Sequence, residues 1–357
     1  MRIVVFGLTI SSSWGNGHAT LWRALAGGLA RDGHELVFFE RDASWYASHR
    51  DFAFVPGGQL HLYPDFESVR ASAARELGRA DAALVSSYCP DGPEASELVL
   101  GSKVPVRAFY DMDTPITLAR IAAGERVPYL PRDGLARFDL VLSFTGGRAL
   151  DALRERLGAR KVAPLYGSVD PDVHGPVSPS PDFAADASYL GTYAEDRQGA
   201  LEALFLEPAD RLKHKRFLLG GSQYPEAFPW RANLFYVQHV APPQHAAFYC
   251  SSPITLNVTR SPMARMGFCP SGRLFEAAAC GTAVLSDAWE GLEAFFTPGS
   301  EILLARSTAE AVSILAASRE ALAAVGRAAR ARALRDHTGL HRARELVDHL
   351  SDAARAR

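Results

Sequence analysis

Short apolar runs alternate with longer stretches whose apolar positions recur every three to four residues, and this rhythm holds for most of the chain. In the first half the runs Ile3–Phe6, Glu35–Phe39, Ala82–Ser86, Val106–Tyr110, Asp139–Ser143 and Val162–Tyr166 predict strands. Between them His18–Arg31, Asp65–Leu77 and Gly147–Leu157 carry helical spacing. Strands that are apolar on both faces, separated by helices, predict a parallel sheet covered on each side. The segment from Ser168 to Pro181 then interrupts the pattern with four prolines. Proline removes a donor and fixes φ, so this segment forms neither helix nor ladder and reads as a linker. Beyond it the alternation restarts, with strands predicted at Ser188–Gly191, Arg216–Leu219, Leu234–Val237, Ile254–Val258, Ala283–Ser286 and Ile302–Leu304. The expected α/β architecture is two Rossmann-like domains facing a central cleft. They span residues 1–168 and 186–335, with a Pro-rich linker at 169–185 and a closing helix at 336–357 that packs back on the first domain.

Composition narrows the class of molecule. Of 357 residues 48% are hydrophobic and 22% charged, the balance of an ordinary globular chain. A net charge of -2 gives no electrostatic ground for a nucleic-acid partner. Local basic density is confined to Arg327, Arg330, Arg332 and Arg335, read as a solvated helix face or as a weak peripheral contact with an anionic membrane. No apolar run approaches the roughly 20 residues of a membrane span, and the first strand is too short for a secretory signal, so a cytoplasmic location is expected. Cys89, Cys250, Cys269 and Cys280 lack metal-ligand spacing, and no metal is expected.

Open parallel sheets bind ligands beyond the carboxyl ends of their strands, which directs attention to the loops. Gly191 and Thr192 follow one strand and Gly221 another, but neither loop has the spaced glycines of a dinucleotide fingerprint. His239, Val240 and His245 flank a Pro-Pro step, the two histidines serving either a site or the local backbone. The segment 269–281 has a helix marked at both ends, opened by Pro270 and Ser271 and closed by Gly281. Its first turn offers unpaired N–H groups to a diphosphate, Gly272 permits close approach, and Arg273 or Arg260 adds a fork of donors. Glu276 lies one turn further in, placed to accept from the two hydroxyls of a ribose. In the first domain the loop from Ser11 to Gly17 leads to His18, and Asp111 and Asp113 follow another strand. The loop suits an anion or sugar hydroxyls, and His18, Asp111 and Asp113 are the candidates for a general base. Thr114 before Pro115 reads as a helix N-cap, and Trp45 and Tyr46 are candidates to stack on a sugar.

The run Arg-Leu-Phe-Glu-Ala-Ala-Ala-Cys-Gly-Thr at 273–282, followed by a strand ending Ser286-Asp287, resembles the donor-site signature of group 1 glycosyltransferases. More narrowly, Leu256–Arg260, Pro270–Asp287 and Phe295–Leu303 are similar to the spore-maturation CgeB-like glycosyltransferases. The resemblance implies a GT-B fold and transfer of a sugar from a nucleotide diphosphate, UDP by expectation, to an acceptor hydroxyl on a glycan, protein or small molecule. It implies no other cofactor. It places ribose on Glu276, phosphates on the preceding helix start and the base against the backbone near Val240. Many group 1 enzymes carry a second glutamate eight positions before the first, where this chain has Phe268. Two other outcomes share the donor site: a nucleotide-sugar epimerase of the same fold, and a non-catalytic binding protein.

Overall fold

The computed structural model describes residues 1–356. The chain divides into two compact units, one made of Met1–Ser168 and the stretch from Gly339 onward, the other of Val169–Thr338. The first is built on β1 (Arg2–Gly7), β2 (Glu35–Arg41), β3 (Gln59–Tyr63), β4 (Ala82–Ser86), β5 (Val106–Asp111), β6 (Leu140–Ser143) and β7 (Val162–Pro164). The second is built on β8 (Ala187–Leu190), β9 (Phe217–Gly220), β10 (Leu234–Val237), β11 (Ile254–Asn257), β12 (Ala283–Asp287) and β13 (Leu303–Ala305). The sheet orders are β3-β2-β1-β4-β5-β6-β7 and β10-β9-β8-β11-β12-β13, with every pairing parallel. In each sheet the order reverses once, between β1 and β4 and between β8 and β11, and the loops leaving those strands diverge to opposite faces.

All twelve strands expected from the apolar runs are present within a residue or two. The thirteenth, β3, has the sequence Gln-Leu-His-Leu-Tyr and leaves only Tyr63 buried, so it carries no continuous apolar signal. It is an edge strand, wetted on one side. In the first core Phe6 and Phe39 stack at 4.9 Å, and the helices Phe66–Leu77 and Gly92–Gly101 cover one face of the sheet.

The segment after Ser168 has no long regular element, as its prolines dictate, but it is part of the second unit. Val169 takes a bridge to Thr338, and Cys250 Sγ accepts from the Val177 amide at 3.4 Å. The chain returns to the first unit at Gly339 rather than at 336, because the helix Arg319–Asp336 still belongs to the second. The closing helix Gly339–Arg355 lies against helix His18–Arg31 at a glycine crossing. A Cβ on Gly28 would sit 2.1 Å from the Gly339 carbonyl oxygen, and one on Gly339 would sit 2.0 Å from that of Ala24.

Three of the four clustered arginines near the end are spent inside the second unit. Arg330 Nε donates to the Ala279 carbonyl at 3.1 Å, Arg332 pairs with Asp336 at 2.7 Å, and Arg335 pairs with the same carboxylate at 2.9 Å. Asp336 offsets one of the four positive charges, and the carbonyl bond of Arg330 offsets none. No helix among the described residues is long and apolar enough to cross a membrane.

Candidate functional site

In the second unit the helix Gly272–Ala279 forms where the pattern expected it. Ser271 takes extended backbone angles at the N-cap, and its Oγ accepts from the Arg273 amide at 3.2 Å. Leu274, Phe275 and Ala277 to Ala279 are buried, each large apolar side chain contributing about 1.5–3 kcal/mol. The polar side of the first turn remains, with Arg273 partly buried and its guanidinium without a partner among the described residues. Two further guanidiniums come from the strands at the order reversal. Arg197 follows β8 and donates to the Thr192 carbonyl at 3.1 Å, while its Nε is enclosed and unpartnered. Arg260 follows β11 and pairs with Asp196 at 2.9 Å. Its loop is fixed from β12, where Asp287 Oδ1 accepts from both the amide and the hydroxyl of Thr259 at 3.0 Å. Burial and the neighbouring Arg273 and Arg260 lower the pKa of Arg197. Three guanidiniums against one bonded carboxylate, beside a helix N-terminus, make a site for a multiply charged anion.

Glu276 points inward from the same helix and is only 7% exposed. Tyr249 donates its hydroxyl to Oε2 at 3.3 Å, and His245 Nδ1 lies 3.7 Å from the same oxygen. Burial opposes its ionisation, but His245, His174 and Arg273 outweigh it and hold its pKa down to about 2. Every recorded side-chain contact is on Oε2, which leaves Oε1 to a ligand.

The glycine loops have a packing explanation. Gly221 has φ +144°, and a Cβ there would meet the Gly191 carbonyl oxygen at 2.0 Å. Their carbonyls are capped by tyrosines, Tyr224 donating to Gly191 at 2.9 Å and Tyr236 to Gly221 at 2.8 Å. Val240 is buried and its carbonyl accepts from His245 Nε2 at 3.2 Å, whereas His239 is exposed. Phe268 adopts a left-handed φ of +46° after Gly267, with its amide bonded to the Glu290 carbonyl at 2.7 Å.

In the first unit the loop after β1 is not an open nest of amides. Glu40, buried at the end of β2, accepts from the Ile10 amide at 2.8 Å, the Ser11 amide at 2.9 Å and the Ser11 hydroxyl at 2.6 Å. The Ser12 and Ser13 amides go to Thr9 Oγ1 and Asp51. These amides are consumed in shaping the loop, so the expected anion site is not formed by them. The loop instead delivers His18, whose Nε2 lies 2.7 Å from Asp113 Oδ2. Asp113, not Thr114, occupies the N-cap position of helix Thr114–Ala122, and its carboxylate turns to His18 instead of capping. Thr114 is the first helical residue, its hydroxyl spent on the Asp111 carbonyl and Ser143. Asp111 is fully buried, accepts from Thr117 and from the Asp113 amide at 3.1 Å each, and leaves Oδ2 unpartnered. Burial pushes its pKa up to about 7. Asp111 therefore supports the dyad from beneath. Trp45 is 60% exposed on the short helix Ser44–Ala47.

Comparison with known proteins sets this geometry in context. Sucrose-phosphate synthase from Thermosynechococcus elongatus superposes with a TM-score of 0.70 at 13% identity, covering all of both chains. The catalytic domain of starch synthase IV from Arabidopsis thaliana, bound to ADP and acarbose, gives 0.68 at 10% identity over 100% of this chain and 99% of that one. The fold is GT-B. HepE of Anabaena in complex with UDP and glucose gives 0.64 at 12% identity over 98% and 99% of the two chains. Residues 197–348 match the family model described as glycosyl transferase-like, a span that contains Arg197, His245, Arg260, Arg273 and Glu276. No curated protein sequence matches the chain.

The arginine set was partly visible in the sequence, through Arg260 and Arg273. Arg197 lacked any local signal beyond its place after a strand, and His174 was hidden in the Pro-rich segment.

Proposed function

We propose that this GT-B chain is a glycosyltransferase that takes a sugar from a nucleotide diphosphate and passes it to an acceptor hydroxyl. The observation that carries the reading is the coincidence, inside the glycosyl transferase-like span, of three guanidiniums at the start of helix Gly272–Ala279 with an ionised carboxylate one turn further in. A nucleoside diphosphate has the matching pattern, two phosphates beside a ribose diol. Arg197, Arg260 and Arg273 take the phosphates and stabilise the leaving diphosphate, and Glu276 Oε1 takes the ribose. The backbone beside Val240 takes the base. In the first unit His18 and Asp113 form the dyad that accepts the proton of the acceptor hydroxyl.

UDP is the nucleotide we assign, supported by the UDP held in the HepE structure, with ADP as the competitor suggested by the starch synthase structure. The similarity of Pro270–Asp287 to the CgeB-like group supports placing the chain near that branch of group 1 glycosyltransferases. Phe268 stands where many of those enzymes have a sugar-facing glutamate, so donor-sugar contacts here rest on other residues. Release of nucleotide from a panel of UDP- and ADP-sugars, with and without mixed sugar acceptors, tests the reading. Acceptor-dependent release supports transfer. Sugar isomerisation without an acceptor would replace it with epimerase chemistry.

A further inference from the structure

His174, His245 and Glu276 turn toward one another in the second unit. One ligand atom from each lies within 4.8 Å of the other two. His245 fixes the chemistry of the group. Its Nε2 is 3.2 Å from the Val240 carbonyl, which only accepts, so Nε2 carries the proton. Its Nδ1 is buried without a hydrogen-bond partner among the described residues and faces Glu276 Oε2 at 3.7 Å. His174 is 5% exposed, and neither of its ring nitrogens has a hydrogen-bond partner. A buried polar group left without a partner costs stability, which a folded chain rarely tolerates without return. The His174 segment is nonetheless held firmly. Its amide donates to the Asp170 carbonyl at 2.9 Å, and Cys250 Sγ lies 3.9 Å from the Gly175 carbonyl and accepts from Val177.

We propose that His174, His245 and Glu276 bind a divalent transition-metal ion of the zinc class, with a fourth coordination position open. A cation resolves what the side chains leave unresolved: the unpartnered Nδ1 of His245 beside a carboxylate oxygen, and the imidazole of His174 with no partner on either nitrogen. Metal-bound histidines commonly donate their other N–H to a backbone carbonyl, as His245 does to Val240. Two nitrogens and a carboxylate oxygen are ordinary zinc ligands, and tetrahedral bonds of roughly 2.0–2.1 Å put ligand atoms about 3.4 Å apart. The Nδ1–Oε2 pair at 3.7 Å is already near that spacing, and all three ligand atoms lie within 4.8 Å of one another. The ion uses Oε2, so Oε1 stays available to a ribose, and the site goes beyond the proposed donor role of Glu276.

The full-length protein, stripped with chelator and dialysed, is titrated with ZnCl₂ by calorimetry and with CoCl₂ by visible absorption. The expected result is one zinc per chain, d–d bands from low-coordinate cobalt, and affinity lower by about tenfold or more in both His174→Ala and His245→Ala. No zinc uptake by folded wild-type protein overturns the site, and so does uptake unchanged in both variants. The wild-type titrations need no variant, so a misfolded substitution does not blunt the test. UDP titration of the stripped wild-type protein reports on the donor reading separately, since neither metal nor His174 enters it.

Discussion

Replacing Glu276 by glutamine tests the ribose assignment with little change in shape. Alanine would leave the Tyr249 hydroxyl without its acceptor and open a void beside buried Leu274 and Phe275, mixing stability with binding. Glutamine keeps one acceptor oxygen for the ribose, removes the charge and presents an NH2 that can donate to the Tyr249 hydroxyl oxygen. Hydrogen bonds to a charged group are worth about 1.5–3 kcal/mol and neutral ones about 0.5–1.5, so each ribose hydroxyl loses about 1 kcal/mol. Two hydroxyls together give about 2 kcal/mol, or roughly 30-fold weaker UDP binding by calorimetry. In the wild type, 2′-deoxy-UDP loses one charged bond and binds about 10- to 150-fold more weakly than UDP. In Glu276→Gln that penalty shrinks to about fivefold, because only a neutral bond is lost. The Glu276 pKa is held to about 2, so the carboxylate is ionised throughout pH 5 to 8 and the wild-type-to-variant ratio is flat across that window. Equal UDP affinities in two proteins with matching melting curves would refute the assignment. A deoxy penalty of the same size in both would refute it independently.

Arg273→Ala is expected to weaken UDP binding by about 10- to 100-fold in calorimetry while leaving uridine binding unchanged, and thermal stability holds because the guanidinium has no hydrogen-bond or ion-pair partner among the described residues. His18→Ala and Asp113→Asn each lower kcat for transfer by about 10²- to 10⁴-fold without altering UDP affinity, measured by steady-state kinetics beside calorimetry. Asp111 has a folded pKa raised from 3.8 to about 7, so the folded state binds the extra proton and wild-type stability falls as pH rises from about 4 to about 7. In Asp111→Asn that slope flattens in denaturant titrations at several pH values. Gly28→Ala forces a Cβ against the Gly339 carbonyl and destabilises the first unit by about 1–3 kcal/mol, seen as a lower urea midpoint.

The sequence exposed the architecture because doubly covered parallel strands must be apolar throughout, and Val4, Leu84 or Leu285 leave no alternative. It hid β3 because an edge strand needs only one buried face, and Gln59–Tyr63 spends its other side on solvent. The helix at Gly272 was legible because caps and a breaker are local signals. Long-range polar pairing was not. Nothing near Ser11 announces that Glu40 will take its amide, so the first amides of a loop that reads as an anion nest are already bonded. Asp113 and Thr114 are both good caps by residue type, and only the 2.7 Å approach of His18 shows that the Asp113 carboxylate turns away from the helix it precedes. His174 looked like linker because its neighbours are prolines, and its partners lie 71 and 102 positions away along the chain, at His245 and Glu276.

Whether the second unit holds a nucleoside diphosphate is decided by calorimetric titration of the folded protein with UDP, ADP, GDP and dTDP. Saturable one-to-one binding of a ribonucleoside diphosphate is expected, UDP tightest, with dTDP weaker for want of a 2′-hydroxyl facing Glu276. No heat from any of the four, in protein whose melting curve shows it folded, would contradict it.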